Sequence, residues 1–199
     1  MTNKIIQEKS ELRSLFKQKR FALSEKDVAK KSQKICENFI TNLLPKLIAK
    51  KPNAIFSLYL DSYNEVRTEA LAAYFIKNKI RFSYPKIIEK NSALKFILHH
   101  ENQEFIANKF YKNISEPKNG EEIFPDFLII PLVAFDKKCN RLGMGGGFFD
   151  RTLIHFKTLN HEFITIGLAY DLQLYDCDIA TEKTDQSLDF IASDNVIFS

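Results

Sequence analysis

Apolar residues recur at near-helical spacing from the first positions of the chain. Ile5, Leu12, Leu15 and Phe16 are set among Lys9, Arg13, Lys17, Lys19 and Arg20, which predicts a helix over residues 4–20. Ser24 with Asp27 resembles a capping box that opens a second helix, whose apolar face runs through Val28, Ile35, Phe39, Leu43 and Leu44. Pro45 and Pro52 bracket its expected end. The period then changes. Residues 54–60 are almost continuously apolar, the pattern of a strand covered on both faces. A helix over 66–78 directs Leu71, Ala72 and Phe75 inward, and a strand over 80–84 should stop at Pro85. Residues 94–98 form another strand, and residues 112–125, with two prolines and Gly120, read as loop. Phe127 to Ile130 is a second buried strand ended by Pro131, with a glycine-rich loop following at once. A helix over 148–157, a strand over 163–169 and short strands at 190–192 and 196–198 complete the series. Strands alternating with helices predict an α/β fold: a three-layer sandwich with a largely parallel, Rossmann-like central sheet, in one domain over residues 1–199.

Composition narrows the picture mostly by exclusion. A chain of 199 residues that is 45% hydrophobic and 27% charged can bury a substantial core. No apolar run approaches the ~20 residues of a membrane helix, so no membrane partner is expected. The first twenty residues are polar and lack a signal-peptide core, so cytoplasmic residence is the expectation. Cys36, Cys139 and Cys177 are odd in number and widely spaced, which argues against a disulfide framework and a zinc site. Cys139 has no evident partner histidine and reads as a bystander thiol. The net charge of +4 comes with scattered lysines rather than a basic patch, so no nucleic-acid partner is expected, whereas an anionic small ligand fits.

The segment Arg141 to Arg151 carries the chemistry. It holds four of the six glycines of the chain: Gly143, Gly145, Gly146 and Gly147. Glycines let consecutive amides converge on an anion. Arg141 and Arg151 add charged forks suited to phosphate oxygens. Asp150 stands where a divalent cation beside the phosphates would be held, although a pairing with either arginine fits the local sequence equally. No Lys-Ser/Thr follows, so this is not a Walker A loop, and Phe148 occupies the place of the third glycine of a dinucleotide fingerprint.

These residues also carry a family resemblance. Pro131, Ala134-Phe135-Asp136 and Arg141-Leu142-Gly143-Met144-Gly145-Gly146-Gly147-Phe148-Phe149-Asp150 together resemble the signature of the 5-formyltetrahydrofolate cyclo-ligase (methenyltetrahydrofolate synthetase) family. Shorter companions occur in the family's order: Lys9 with Arg13, Glu65, Ile114-Ser115-Glu116-Pro117, Gly167 to Gln173, and Glu182 to Asp185. The resemblance implies an ATP-dependent C–N ring-forming ligase that converts 5-formyltetrahydrofolate or its polyglutamylated form to 5,10-methenyltetrahydrofolate, with ADP and phosphate released and Mg²⁺ as cofactor. It implies ATP contacts from Lys9, Arg13, Arg141, Leu142, Gly143, Met144, Gly145, Gly146, Gly147, Phe148 and Phe149. It places folate against Glu65, Met144, Gly145, Gly146, Gly147 and Phe148, metal on Asp150 and Asp185, and the reaction centre at Arg141, Gly145 and Phe148. A monomer is expected.

Four positions depart from the family pattern. Phe148 and Phe149 replace a tyrosine pair, Cys139 replaces a glycine, and Thr184 replaces a histidine. Two other classes of function therefore remain in view. A folate- or nucleotide-binding module without turnover would follow from the missing hydroxyls, and an RNA-binding protein would use the basic first helix. Outside the resemblance, Lys9 and Arg13 read first as a solvated helix face, Asp185 as a turn or helix cap, and Glu116 as loop geometry.

Overall fold

The run Phe127-Leu128-Ile129-Ile130 decides the architecture, because alternate residues of a strand face opposite sides. Phe127 and Ile129 join one apolar cluster, with Phe39, Leu44, Leu71 and Phe75. Leu128 and Ile130 join another, with Leu153 and Phe156. Both faces of the strand are thus covered by helices, and each such side chain contributes about 1.5–3 kcal/mol by leaving water. The computed structural model describes residues 2–199, with side chains from Lys4 onward.

The helices are α1 (Thr2–Phe21), α2 (Glu25–Asn38), α3 (Leu44–Lys50), α4 (Glu69–Lys77) and α5 (Phe148–Thr158). The strands are β1 (Phe56–Ser57), β2 (Phe82–Lys86), β3 (Lys95–Leu98), β4 (Phe105–Ala107), β5 (Ser115–Pro117), β6 (Glu122–Ile123), β7 (Phe127–Pro131), β8 (Ala134–Phe135), β9 (Arg141–Leu142), β10 (Ile164–Leu168), β11 (Phe190–Ala192) and β12 (Ile197–Phe198). The main sheet has the order β12-β11-β10-β7-β1-β2-β3-β6. Its centre, from β11 to β2, is parallel, and its two edges are antiparallel. The α/β reading with a largely parallel sheet is what the structure has.

Several local readings are corrected. Pro45 does not end the second helix, because a π-helical turn over Phe39–Leu43 precedes it and Pro45 lies in the first turn of α3, where a missing N–H costs nothing. Pro85 does not stop β2. It pairs with Phe96 of β3, at a point where β1 on the other side has already ended. The predicted 112–125 loop contains β5 and β6, paired with β4 and β3. A β8–β9 hairpin stands between β7 and the glycine loop, so the loop does not follow β7 directly.

Helix α1 differs most from its reading. Leu15 is exposed, and the buried stripe is Lys9, Leu12, Phe16 and Arg20. The helix packs on Val133, Ala134, Leu142 and Ile179. Two charged residues in a buried helical stripe have to be explained by what they meet.

Candidate active site

Ligands of open α/β sheets bind beyond the carboxyl ends of the strands, where the strand order reverses. Here β1 leads to β2 on one side, whereas the later strands β7 and β10 lie on the other. A cavity of about 830 Å³ opens there, lined by residues that follow β1 (Tyr59 to Glu65) and by the Arg141–Arg151 segment. Lys9, Arg13, Glu182 and Asp185 line it too. The structure therefore brings every sequence-predicted site residue to one cavity.

The glycine loop is shaped by its own arginines. Gly145 has φ +101° and Gly147 φ +64°, and a Cβ on Gly147 would lie 2.7 Å from Arg151 Nη1. Arg151 Nη2 donates to the Gly146 carbonyl at 2.7 Å, and its Nε to the Ser92 carbonyl at 3.2 Å. Arg13 Nε donates to the Gly143 carbonyl at 3.0 Å. Gly147 caps α5 without any side-chain bond to its first amides, so the positive end of the helix is left for an anion.

Cations and carboxylates are interleaved around that end. Arg141 Nη2 donates to Asp150 Oδ1 at 2.6 Å, and its Nη1 donates to the Gln186 carbonyl. Lys9, only 5% exposed, donates to Glu182 Oε2 at 2.9 Å and also pairs with Asp185. Burial alone would lower the Lys9 pKa, but the bonds to Asp185 and Glu182 outweigh it and raise it. The solvated-face reading of Lys9 is thus excluded. Among the described residues no three His, Cys, Asp or Glu side chains cluster as a self-sufficient metal cage. Asp150 and Asp185 suit an ion that takes one or two carboxylates and completes its shell with phosphates and water, as Mg²⁺ does.

Glu65 lines the same cavity. It is 6% exposed, and its Oε2 accepts from the Ser62 amide at 3.0 Å and the Ser62 hydroxyl at 3.2 Å. Burial raises its carboxyl pKa, opposed mainly by the guanidinium of Arg20. The turn before it is held by Tyr63 and Asn64 in the left-handed region, with Asn64 Nδ2 donating to the Arg20 and Leu23 carbonyls.

Phe148 is half-buried in the cavity wall. Tyr111 meets its ring edge-on at 5.8 Å, and the Arg151 guanidinium lies 5.0 Å from its centroid. Glu116 and Gln173 are structural: Glu116 Oε2 accepts from the Ile87 amide and Asn108 Nδ2, and Gln173 Nε2 donates to the Leu132 and Val133 carbonyls. Cys139 takes φ +58°, and burial pushes its thiol up to about 11, which suits a turn residue rather than a nucleophile. Sequence reasoning missed Ser62 and Tyr111, which line the cavity, and Arg20, which lies outside its wall with Nη1 3.9 Å from Glu65 Oε1. An aromatic close to Ile114-Ser115-Glu116-Pro117 was a usable signal for Tyr111, whereas Arg20 looks like any basic residue in a last helical turn.

Comparison with known proteins gives a consistent result. A profile described as the 5-formyltetrahydrofolate cyclo-ligase family matches residues 5–194. A Haemophilus influenzae protein named 5-formyltetrahydrofolate cyclo-ligase is 36% identical over 158 residues, covering 76% of this chain and 82% of its own. A Mycoplasma pneumoniae protein of the same name is 32% identical over 188 residues, covering 94% and 99%. The solved 5,10-methenyltetrahydrofolate synthetase from Mycoplasma pneumoniae superposes with a TM-score of 0.72 at 30% identity, over 94% of this chain and 99% of that one. The NMR structure of the Aquifex aeolicus synthetase gives 0.77 at 26% identity, over 96% and 91%.

Proposed function

The chain belongs to the 5-formyltetrahydrofolate cyclo-ligase family of enzymes, and we propose that it drives cyclisation of 5-formyltetrahydrofolate to 5,10-methenyltetrahydrofolate with ATP and Mg²⁺. The observation that carries this reading is the single cavity with its two kinds of wall. One wall is built for a polyphosphate, from Lys9, Arg13, Arg141, the loop amides and the α5 N-terminus. The other offers the carboxylate of Glu65 to a ring system with N–H donors.

The chemistry follows from what a formyl amide lacks. Its oxygen is a poor leaving group, so N10 cannot close the ring by direct displacement. Attack of that oxygen on the γ-phosphorus releases ADP and leaves an imidate phosphate. N10 then adds to the formyl carbon, phosphate departs with the former formyl oxygen, and the N10 proton passes to solvent. Phosphoryl transfer of this kind depends on positioning and charge neutralisation. Mg²⁺, held by Asp150 and Asp185, would neutralise phosphate charge and orient the oxygens. Arg141 and Lys9, which pair with those two carboxylates, would also offer positive charge to the phosphates. Arg13 and the amides of Gly143 to Gly147 would hold the chain of phosphates against the formyl group, and Phe148 would stack on the folate.

The test is a spectrophotometric assay for the methenyl product with 5-formyltetrahydrofolate, ATP and Mg²⁺. Product should form with ADP in equal amounts and cease when ATP or Mg²⁺ is omitted. Absence of product from folded protein and fresh substrate would reject the reading.

A further inference from the structure

Arg20 is 1% exposed, the largest fully buried side chain of the described residues, and lies outside the wall of the cavity. Its Nη1 donates to the Leu132 carbonyl at 3.1 Å, just past β7, and lies 3.9 Å from Glu65 Oε1. Its Nη2 is 3.9 Å from Met144 Sδ in the glycine loop. Its Nε has no hydrogen-bond partner. Glu65 in turn commits Oε2 to Ser62, while Oε1 accepts no hydrogen bond from the described residues. A buried arginine serving only to close an ion pair would form a short, bidentate fork. This one stands back from the carboxylate, is one donor short, and touches three segments of the site wall.

We infer that Arg20 is a positioning residue for folate binding: it orients the Glu65 carboxylate with Oε1 free for the ligand, and ties it to the glycine loop that carries the other substrate. The inference rests on the reading that Glu65 receives the pterin N–H groups. A guanidinium keeps its charge in a buried site where a lysine would readily lose it, which suits arginine to this place. The groups that face Glu65 are Arg20 from α1, Asp61 and Ser62 from its own loop, and Tyr59 and Tyr170 from the elements packed behind it. Arg20 is the cation among them that opposes the effect of burial, and Asp61 acts the other way.

The experiment compares wild type with R20M, R20K, E65Q and the R20M/E65Q double variant. Steady-state constants for 5-formyltetrahydrofolate and ATP are measured across pH, and calorimetry follows 5-formyltetrahydrofolate binding without ATP. R20M should raise the KM for folate by about tenfold or more, while the KM for ATP and kcat change by less than about threefold. The acid limb of kcat/KM for folate should move to higher pH in R20M, return part of the way in R20K, and vanish in E65Q. In the E65Q background R20M should add little. Should R20M fail to fold, R20K decides by the same pH limb. An unmoved limb, equal losses for both substrates, or additive single effects would overturn the inference. If E65Q leaves folate affinity intact, the pterin reading of Glu65 falls and the inference with it. If E65Q weakens folate while the Arg20 variants do not, only the inference falls.

Discussion

Phe148 is the residue at which this chain departs most clearly from the family pattern. Its ring lies in the cavity wall, edge-on to Tyr111 and beside Arg151, so the stacking surface remains while a hydroxyl is lost. Phe148→Tyr should raise kcat by up to about tenfold with a stability change within about 0.5 kcal/mol, since Phe148 lines the cavity and is only half-buried. Parallel kinetics and thermal melts check both halves, and an unchanged kcat would mean that no hydroxyl is needed there. Asp150 is charge-paired with Arg141, and its proposed role is to hold the metal. Asp150→Asn should lower turnover by about a hundredfold and shift the Mg²⁺ dependence to higher concentration. Kinetics against Mg²⁺ and calorimetry with ADP test this, and near-normal turnover would remove the assigned role. Gly145, Gly147, Arg141 and Asp150 were legible from sequence because their peculiarities are local: a positive φ, a fork of donors, an acid in a first helical turn. Arg20 was not, because nothing local separates a buried guanidinium from an exposed one.

The strongest lesson at the level of elements is α1. Its apolar spacing fixed a helix but not its orientation, since Leu15 fitted the pattern and is exposed, while Lys9 and Arg20 did not and are buried. Counting apolar residues fails where a helix face serves a site, because the charged positions then belong to the buried stripe. Pro85 and Pro45 were misread for a related reason. Proline removes one donor, and whether that donor was needed depends on neighbours that local sequence does not reveal. Strand β10 shows the opposite case, a glycine whose need is purely steric. A Cβ on Gly167 would lie 2.7 Å from Leu132 Cδ2 and 2.8 Å from Leu188 Cδ1, both in packed surroundings. Gly167→Ala should therefore cost about 1–3 kcal/mol in urea unfolding, by overpacking between β10 and its cover. A cost near zero would show that Leu132 and Leu188 can move aside.

Over the whole molecule, ionisation of buried groups couples the site to stability. Glu65 holds its proton more tightly when folded, because burial outweighs Arg20. Its contribution therefore falls as pH rises from the ordinary glutamate range through its raised folded value. Glu65→Gln should accordingly gain on wild type with rising pH across that window and keep a constant difference above it. Urea unfolding at a series of pH values between about 4 and 8 measures this, and a difference independent of pH would refute it. Lys9 has the same sign at higher pH: its raised value adds stability below the ordinary lysine range, lost as pH rises through the folded value, and its partners lie 173 and 176 positions away. Such pairings mark the boundary of what a sequence says by itself. Periodicity determined the α/β class, because a two-residue and a 3.6-residue repeat are written residue by residue, and the glycines and arginines of the 141–151 segment marked a candidate anion-binding loop from steric and charge demands alone. Only the tertiary structure decided that β1 and β7 adjoin at the switch point, that α1 turns Lys9 and Arg20 inward, and that Glu65 meets the same cavity. Those outcomes depend on which faces pack together over long separations, and packing is a property of the assembled chain rather than of any segment in it.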